Sequence, residues 1–316
     1  MTVLERFELY PVAPFRLDLT VWVLRRRPHN AVDNFDGEFY RRVLVLGGRP
    51  VEVSLRQVGP PEAPRLAVEL RSNSRKLGET TVSETRIALD RMLGLGADLA
   101  GFYRLAEDNE QLKPLAERFV GMRPTRFPSV FEALVNAIAC QQLSLIVGIH
   151  LLNRLAERYG PTASRSGGAL HGFPIPERLA EADPAVLRDL GFSKAKARYV
   201  TGLAQQVASG DLDLETLADI EDERALAELN SLAGVGRWSA EYTLLRGLGR
   251  LNVLPGDDVG ARNNLQRRFG LVVALDYGGI QELSRTWSPY GGLVYFHLLL
   301  DSLAAAGNLD PTARTH

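Results

Sequence analysis

A chain of 316 residues is long enough for two domains or one domain with lobes, and its 37 basic and 38 acidic side chains nearly cancel, to a formal net charge of −1. That balance removes a global basic field as a sign of nucleic-acid binding but leaves room for a local patch. One cysteine, Cys140, excludes an internal disulfide and any four-thiolate zinc or iron–sulfur site, and the lack of a signal-peptide pattern or a bilayer-length apolar run predicts a cytoplasmic protein.

Residues 1 to about 80 read as β-rich. Phe15, Leu17 and Leu19 alternate with Arg16, Asp18 and Thr20, which predicts a strand over residues 15–24, and apolar residues at 43–46, 51–55 and 66–70 predict further short strands. Gly47-Gly48-Arg49-Pro50 predicts a hairpin turn, and Arg25-Arg26-Arg27-Pro28 opens a polar excursion through Gly37 that reads as a loop, either solvated, the expected case, or with its arginine run touching DNA. From Ser83 the period turns helical, with Ile87, Leu89, Met92 and Leu93. Ser129 and Glu132 form a capping box for an apolar helix carrying Phe131, Leu134, Val135 and Ile138. Cys140, read as a small buried hydrophobe, closes that helix and is followed by Gln141-Gln142-Leu143-Ser144. Glutamines beside so apolar a run must find hydrogen-bond partners, either by capping a helix junction or by meeting a base edge.

The most informative stretch begins near residue 225. Leu226, Leu229 and Leu232 keep helical spacing, Gly234-Val235-Gly236 then turns the chain, and a second helix is expected from Arg237. Helix, Gly-x-Gly turn and helix leave amides without intrahelical partners at a positive dipole end, which suits a phosphate, while Val235 would plug the turn into the core. Further on, Pro255-Gly256 makes a turn and Asp257-Asp258 stands where a helix carrying Leu265 and Phe269 begins, so either aspartate could cap it. Arg237, Arg246, Arg250, Arg262, Arg267 and Arg268 crowd around this stretch and offer a local basic patch.

Hairpin, Gly/Pro-rich turn and aspartate in this order resemble the helix-hairpin-helix DNA glycosylases, in particular the alkylbase glycosylases of the AlkA type, over most of the chain and most specifically from about residue 91 to residue 300. The resemblance implies a mainly α fold, in which helical glycosylase lobes at residues 94–316 follow a smaller N-terminal α+β domain at residues 1–93 with an antiparallel sheet like half of the TATA-binding-protein fold. The hairpin falls at about residues 225–248. Asp258 matches the family's catalytic aspartate, with Asp257 left as cap or support. Trp238, Tyr242, Gln141 and Tyr290 match the substrate pocket. Gly234, Val235, Gly236, Arg237, Gln142 and Leu143 match the DNA-binding surface. The backbone carbonyls of Asn230, Leu232 and Val235 match a seat for a monovalent cation, sodium or potassium, and no other cofactor is implied.

One position narrows the chemistry further. Members that also cut the strand carry a lysine where this chain has Trp238, and without that amine no Schiff base can form. Trp238 and Tyr242 lie four residues apart, on one helix face, and electron-rich rings attract a cationic alkylated purine by roughly 0.5 to 2 kcal/mol each. The chain is therefore expected to be a monofunctional glycosylase that removes alkylated purines of the 3-methyladenine and 7-methylguanine type from duplex DNA, in the first step of base excision repair, as a monomer associated with the nucleoid. Departures from the pattern are Ala233 for a usual proline, the added Gly256, and Val259-Gly260 for a common Thr-His. The alternatives are a glycosylase of the same fold for deaminated or oxidised bases, and a non-catalytic DNA-binding module. A carboxylate such as Asp258 beside DNA speaks against the second.

Overall fold

The computed structural model describes residues 3–72, 77–165 and 168–309. Its N-terminal part is built on a five-stranded antiparallel sheet of β1 (Val3–Leu9), β2 (Asn34–Phe35), β3 (Tyr40–Leu46), β4 (Arg49–Gln57) and β5 (Leu66–Ser72), in the order β1-β5-β4-β3-β2. Strand β5 alternates buried Leu66, Val68 and Leu70 with partly exposed neighbours, as a sheet with one covered face requires. Gly47 and Gly48 close the β3–β4 hairpin, with Leu46 opposite Arg49.

The strand expected over residues 15–24 is instead a helix, α1 (Leu17–Arg25). Leu17, Leu19, Thr20, Val21, Val23 and Leu24 are all buried in it, and Asp18 and Trp22, one turn apart, are partly exposed, so its apolar face is wide and its helical period is masked. The alternation at its start was a chance match to period two. Arg25 and Arg26, expected in a solvated loop, are also buried, because the excursion folds back against the helices.

Helices make up most of the remaining chain. α2 (Glu79–Leu93) lies next to the sheet, and α3 (Ala100–Glu107) and α4 (Lys113–Arg118) lead on to α5 (Val130–Cys140), which Ser129 caps through the Glu132 N–H, while the Glu132 carboxylate turns to Arg42 and does not complete the expected capping box. α6 (Leu145–Tyr159) is capped by Ser144, and a small ribbon of β6 (Thr162–Arg165) and β7 (Gly168–His171) comes before α7 (Pro176–Ala180), α8 (Pro184–Asp189) and α9 (Lys194–Ser209). The last five are α10 (Asp222–Ser231), α11 (Arg237–Thr243), α12 (Val259–Arg268), α13 (Tyr277–Arg285) and α14 (Gly291–Ala305). Among the described residues, no helix is long and apolar enough to cross a membrane.

Three apolar cores result. One joins α5, α6, α9, α10 and α11; a second lies under the sheet and reaches Phe127, Ala133 and Tyr242; a third unites α3, α4, α12, α13 and α14 with Leu19 and Val23 of α1. Buried ion pairs tie the sheet to the helices. Arg42 on β3 lies 2.6 Å from both Asp33 and Glu132 of α5, each of them buried. The turn of π-helix at Leu244–Leu248 carries the fully buried Arg246, which donates to the carbonyls of Val23 and Leu24 at 2.9 and 3.4 Å.

Candidate active site

The hairpin forms as the sequence predicts. α10 ends at Ser231, Val235 donates its N–H to the Leu232 carbonyl at 3.1 Å, and its side chain is buried in the first core. Gly234 has φ +82°, and a Cβ there would lie 2.2 Å from the Tyr199 ring, so no other residue fits. Gly236 is the N-cap of α11, and a Cβ at that position would meet nothing within 4 Å. The chain is open on the Cβ side of Gly236, and Gly236 and Arg237 are exposed, so a phosphate can come close to the turn.

Gln141 braces this turn. Its amide nitrogen donates to the Gly234 carbonyl at 2.7 Å and to the Ser239 hydroxyl at 2.8 Å, which ties it to the hairpin. Next to it the chain bends sharply. Gln142 is exposed with φ +54°, and Leu143, Ile146 and Val147 are 41%, 50% and 43% exposed, an apolar rim on the same junction. Lys196 holds the bend from α9 by donating to the carbonyls of Ala139 and Gln141 at 2.9 and 2.7 Å. Cys140, expected to be buried, is only half-buried here, since the helix ends at it.

Asp258 is the N-cap of α12 and stands at the centre of the site. Its Oδ1 accepts the Ala261 N–H at 2.8 Å, while Oδ2 accepts the Trp238 indole N–H and the Tyr295 hydroxyl, both at 3.1 Å. Asp257, the other candidate for the cap, pairs with Arg237 at 2.7 Å. The capping and functional roles thus fall on one residue, which the helix start orients through one oxygen while the other faces the aromatic side chains. Three donors suit an acceptor-only carboxylate. Burial and the nearby Asp258 charge hold the Tyr295 hydroxyl well above the usual tyrosine range, which keeps it a donor.

Trp238 is half-buried, its ring tilted against Tyr242 with centroids 5.4 Å apart. Tyr242 is only 4% exposed, packs on Phe127, and accepts a hydrogen bond from Arg26 at 2.9 Å. Burial raises its hydroxyl above the ordinary tyrosine value. Arg26, held at φ +62° where α1 ends, also donates to Asn136 at 2.6 Å. Tyr242 thus forms the back of the Trp238 wall.

Tyr290 lies elsewhere. It is the N-cap of α14, its ring meets Phe102 edge-on at 5.9 Å, and its hydroxyl sits over Gly101. The tyrosine that reaches Asp258 is Tyr295, which no sequence motif marked. Trp287 is buried and stacked on Phe269 at 5.6 Å, a packing residue. The basic patch is also thinner than expected. Arg246 is buried, Arg250 donates to the carbonyls of Ala218 and Ile220, and Arg262 donates to that of Leu275.

An anion-binding turn, an apolar rim and an oriented carboxylate beside an indole now stand together. The model of the HhH-GPD superfamily base excision DNA repair proteins matches residues 135–288. The putative DNA-3-methyladenine glycosylase YfjP of Bacillus subtilis (strain 168) is 33% identical over 277 residues, which span 88% of this chain and 92% of that protein. The chain belongs to the HhH-GPD superfamily. A second protein of the same bacterium, a DNA-3-methyladenine glycosylase, is 27% identical over 285 residues, 90% of this chain and 93% of its own length. Among solved structures, the 3-methyladenine DNA glycosylase from Archaeoglobus fulgidus is 27% identical and superposes with a TM-score of 0.81 over 93% of this chain and 97% of that one. All of the HhH-GPD match lies in the helical part, and it includes the hairpin and Asp258.

Proposed function

We propose that this HhH-GPD protein is a monofunctional DNA glycosylase that excises alkylated purines from duplex DNA, acting as a monomer. The observation that carries this reading is Asp258, held by three donors beside the half-buried Trp238 and reached from the same helix that opens at the Gly234–Gly236 turn. The amides at the start of α11, with Arg237, take a backbone phosphate. Gln142 or Leu143 on the exposed bend fills the stack that the flipped base leaves. Trp238, backed by Tyr242, offers its face to the cationic base.

A positively charged base needs little acid help to leave, and the sugar develops oxocarbenium character as the bond breaks. A carboxylate about 4 Å away stabilises that charge by roughly 4 kcal/mol at an effective dielectric near 20, about a thousandfold in rate. Asp258 also orients the attacking water, which leaves an abasic site. With Trp238 in place of an amine, the chain has no nucleophile there to cut the strand. The carbonyls of Asn230, Leu232 and Val235 would hold a monovalent cation, whose charge would add to the attraction of the turn for a phosphate. The Leu232 oxygen, which already accepts the Val235 N–H, keeps a second lone pair for it.

Base release from methylated duplex DNA by the wild type and by Asp258→Asn, each with and without alkali, tests the reading. Release is expected from the wild type alone, with strand breaks only after alkali. A wild type that binds DNA but releases no alkylated base would move the substrate to deaminated or oxidised bases, and strand cutting without alkali would overturn the monofunctional assignment.

A further inference from the structure

Helix α11 carries two pairs of side chains at i, i+4 spacing, and they face different things. Trp238 and Tyr242 form the aromatic wall. Arg237 and Glu241, one residue earlier in each case, face the turn at residues 255–258 that delivers Asp258. Glu241 is 4% exposed and both its oxygens are engaged: Oε2 accepts the Gly256 N–H at 3.1 Å and Oε1 accepts the Tyr277 hydroxyl at 2.6 Å. Tyr277 is the first residue of α13, and the Arg237 guanidinium lies 3.7 Å over its ring while also bonding Asp257 at 2.8 and 2.7 Å. Gly256 itself is wedged in place, for a Cβ there would be 2.8 Å from both Gln281 and the Tyr277 ring. The turn is therefore clamped between α11 and α13 two residues before Asp258.

A buried carboxylate on a core-facing helix position is costly unless its bonds are worth keeping. Burial already pushes the Glu241 carboxyl up from its ordinary value. Neither oxygen points at the hairpin or at Asp258, so the group has no part in phosphate binding or in the reaction. Its two bonds go only to the elements that set where Asp258 stands.

We propose that Glu241 is a positioning residue for Asp258, holding the Gly256 amide and the Tyr277 hydroxyl so that the aspartate sits at the height the sugar requires. This rests on Asp258 being the catalytic carboxylate. Without the Glu241 carboxylate, the turn loses its buried anchor on α11 and keeps only the partly exposed Arg237–Asp257 pair and the Trp238 bond, and a displacement of about 1 Å costs on the order of a hundredfold in rate. The hairpin amides, on a separate turn, keep their hold on DNA.

The chain has three tryptophans, Trp22, Trp238 and Trp287, so their indole N–H resonances can be assigned by substitution, and that of Trp238 reports directly on Asp258. The experiment follows that resonance together with single-turnover excision from methylated duplex and affinity for an abasic duplex, in Glu241→Ala, Glu241→Gln and Tyr277→Phe. Glu241→Ala is expected to shift the Trp238 resonance, leave those of Trp22 and Trp287 in place, and slow excision on the order of a hundredfold with abasic-duplex affinity held within about twofold. Glu241→Gln, whose amide can still accept from Gly256 and donate to the Tyr277 oxygen, is expected to restore most of the rate. Tyr277→Phe is expected to give an intermediate loss, and it carries the test alone should Glu241→Ala not fold. A Trp238 resonance unmoved in both Glu241→Ala and Tyr277→Phe would overturn the proposal whatever the substrate. If the resonance moves while the rate stays at the wild-type level, Glu241 is structural only. A wild type that releases no base from methylated duplex would instead overturn the proposed substrate, a result that the same assay displays separately and that leaves the Trp238 resonance to decide on Glu241.

Discussion

Asparagine at position 258 separates the charge of that side chain from its hydrogen bonds. Two of the three donors around Asp258 are fixed N–H groups that approach different oxygens, Ala261 at Oδ1 and Trp238 at Oδ2. Asparagine has one oxygen. Whichever way its amide turns, one N–H loses its acceptor and faces an NH2 group, whereas the Tyr295 hydroxyl can rotate to accept. Asp258→Asn should therefore lose the roughly 4 kcal/mol of transition-state stabilisation, about a thousandfold in single-turnover rate, and also about 1 to 3 kcal/mol of folding stability. Trp238→Phe removes the conflicting donor. In a double-mutant cycle read by urea denaturation, the pair should couple favourably by about 1 kcal/mol or more, while excision stays as slow as in Asp258→Asn. An asparagine variant within about tenfold of the wild-type rate would refute the electrostatic role, and additive stabilities would refute the donor conflict.

Gly234→Ala should lower the melting temperature and abolish abasic-duplex binding, since a left-handed backbone costs a non-glycine residue about 1 to 2 kcal/mol and the new Cβ strikes the Tyr199 ring. Gly236→Ala has free space around it and should melt like the wild type, yet bind DNA less tightly because the methyl group stands where the phosphate approaches. Leu143→Ala should leave stability within about 0.5 kcal/mol and slow excision about tenfold, a rate effect that disappears when the lesion lies in an already unstacked site. His297 is buried against Phe102, and burial lowers it from 6.5 to about 4. The unfolded chain thus binds the proton first as pH falls, so the stability His297 contributes is full above pH 6.5 and is lost towards pH 4, by about 3 kcal/mol at most, and His297→Asn should flatten that part of a stability profile.

The hairpin and a helix-capping aspartate after the Pro-Gly turn were legible in the sequence because their signals are local, whereas the choice of Asp258 over Asp257 came from the family resemblance. A turn that needs Gly234, and an aspartate opening a helix behind a Pro-Gly turn, can be read from adjacent residues. Tyr295 was not legible, for its role comes from α14 crossing α12, and the apolar run around it reads as core. Tyr290, the tyrosine expected in the pocket, sits where α14 starts and packs against Phe102. Gln141 was singled out correctly as a polar residue in need of partners, and its partners are on the hairpin. The helix α1 escaped because its buried face is wide and the alternation at residues 15–20 also fits a period of two, and with it went the role of Arg26 as support for Tyr242.

The buried triad of Asp33, Arg42 and Glu132 has a consequence for how this chain can be recombined. Two of its members belong to the N-terminal sheet region and the third to helix α5, and Arg26 and Arg246 cross the same seam in opposite directions. A hybrid that joins the helical part to the N-terminal part of another relative would strand Glu132 without its counter-charge, at about 3 to 5 kcal/mol, unless the donor supplies an arginine in register with position 42. The two parts are heirs to one another's charges, and a graft succeeds only when those charges travel together.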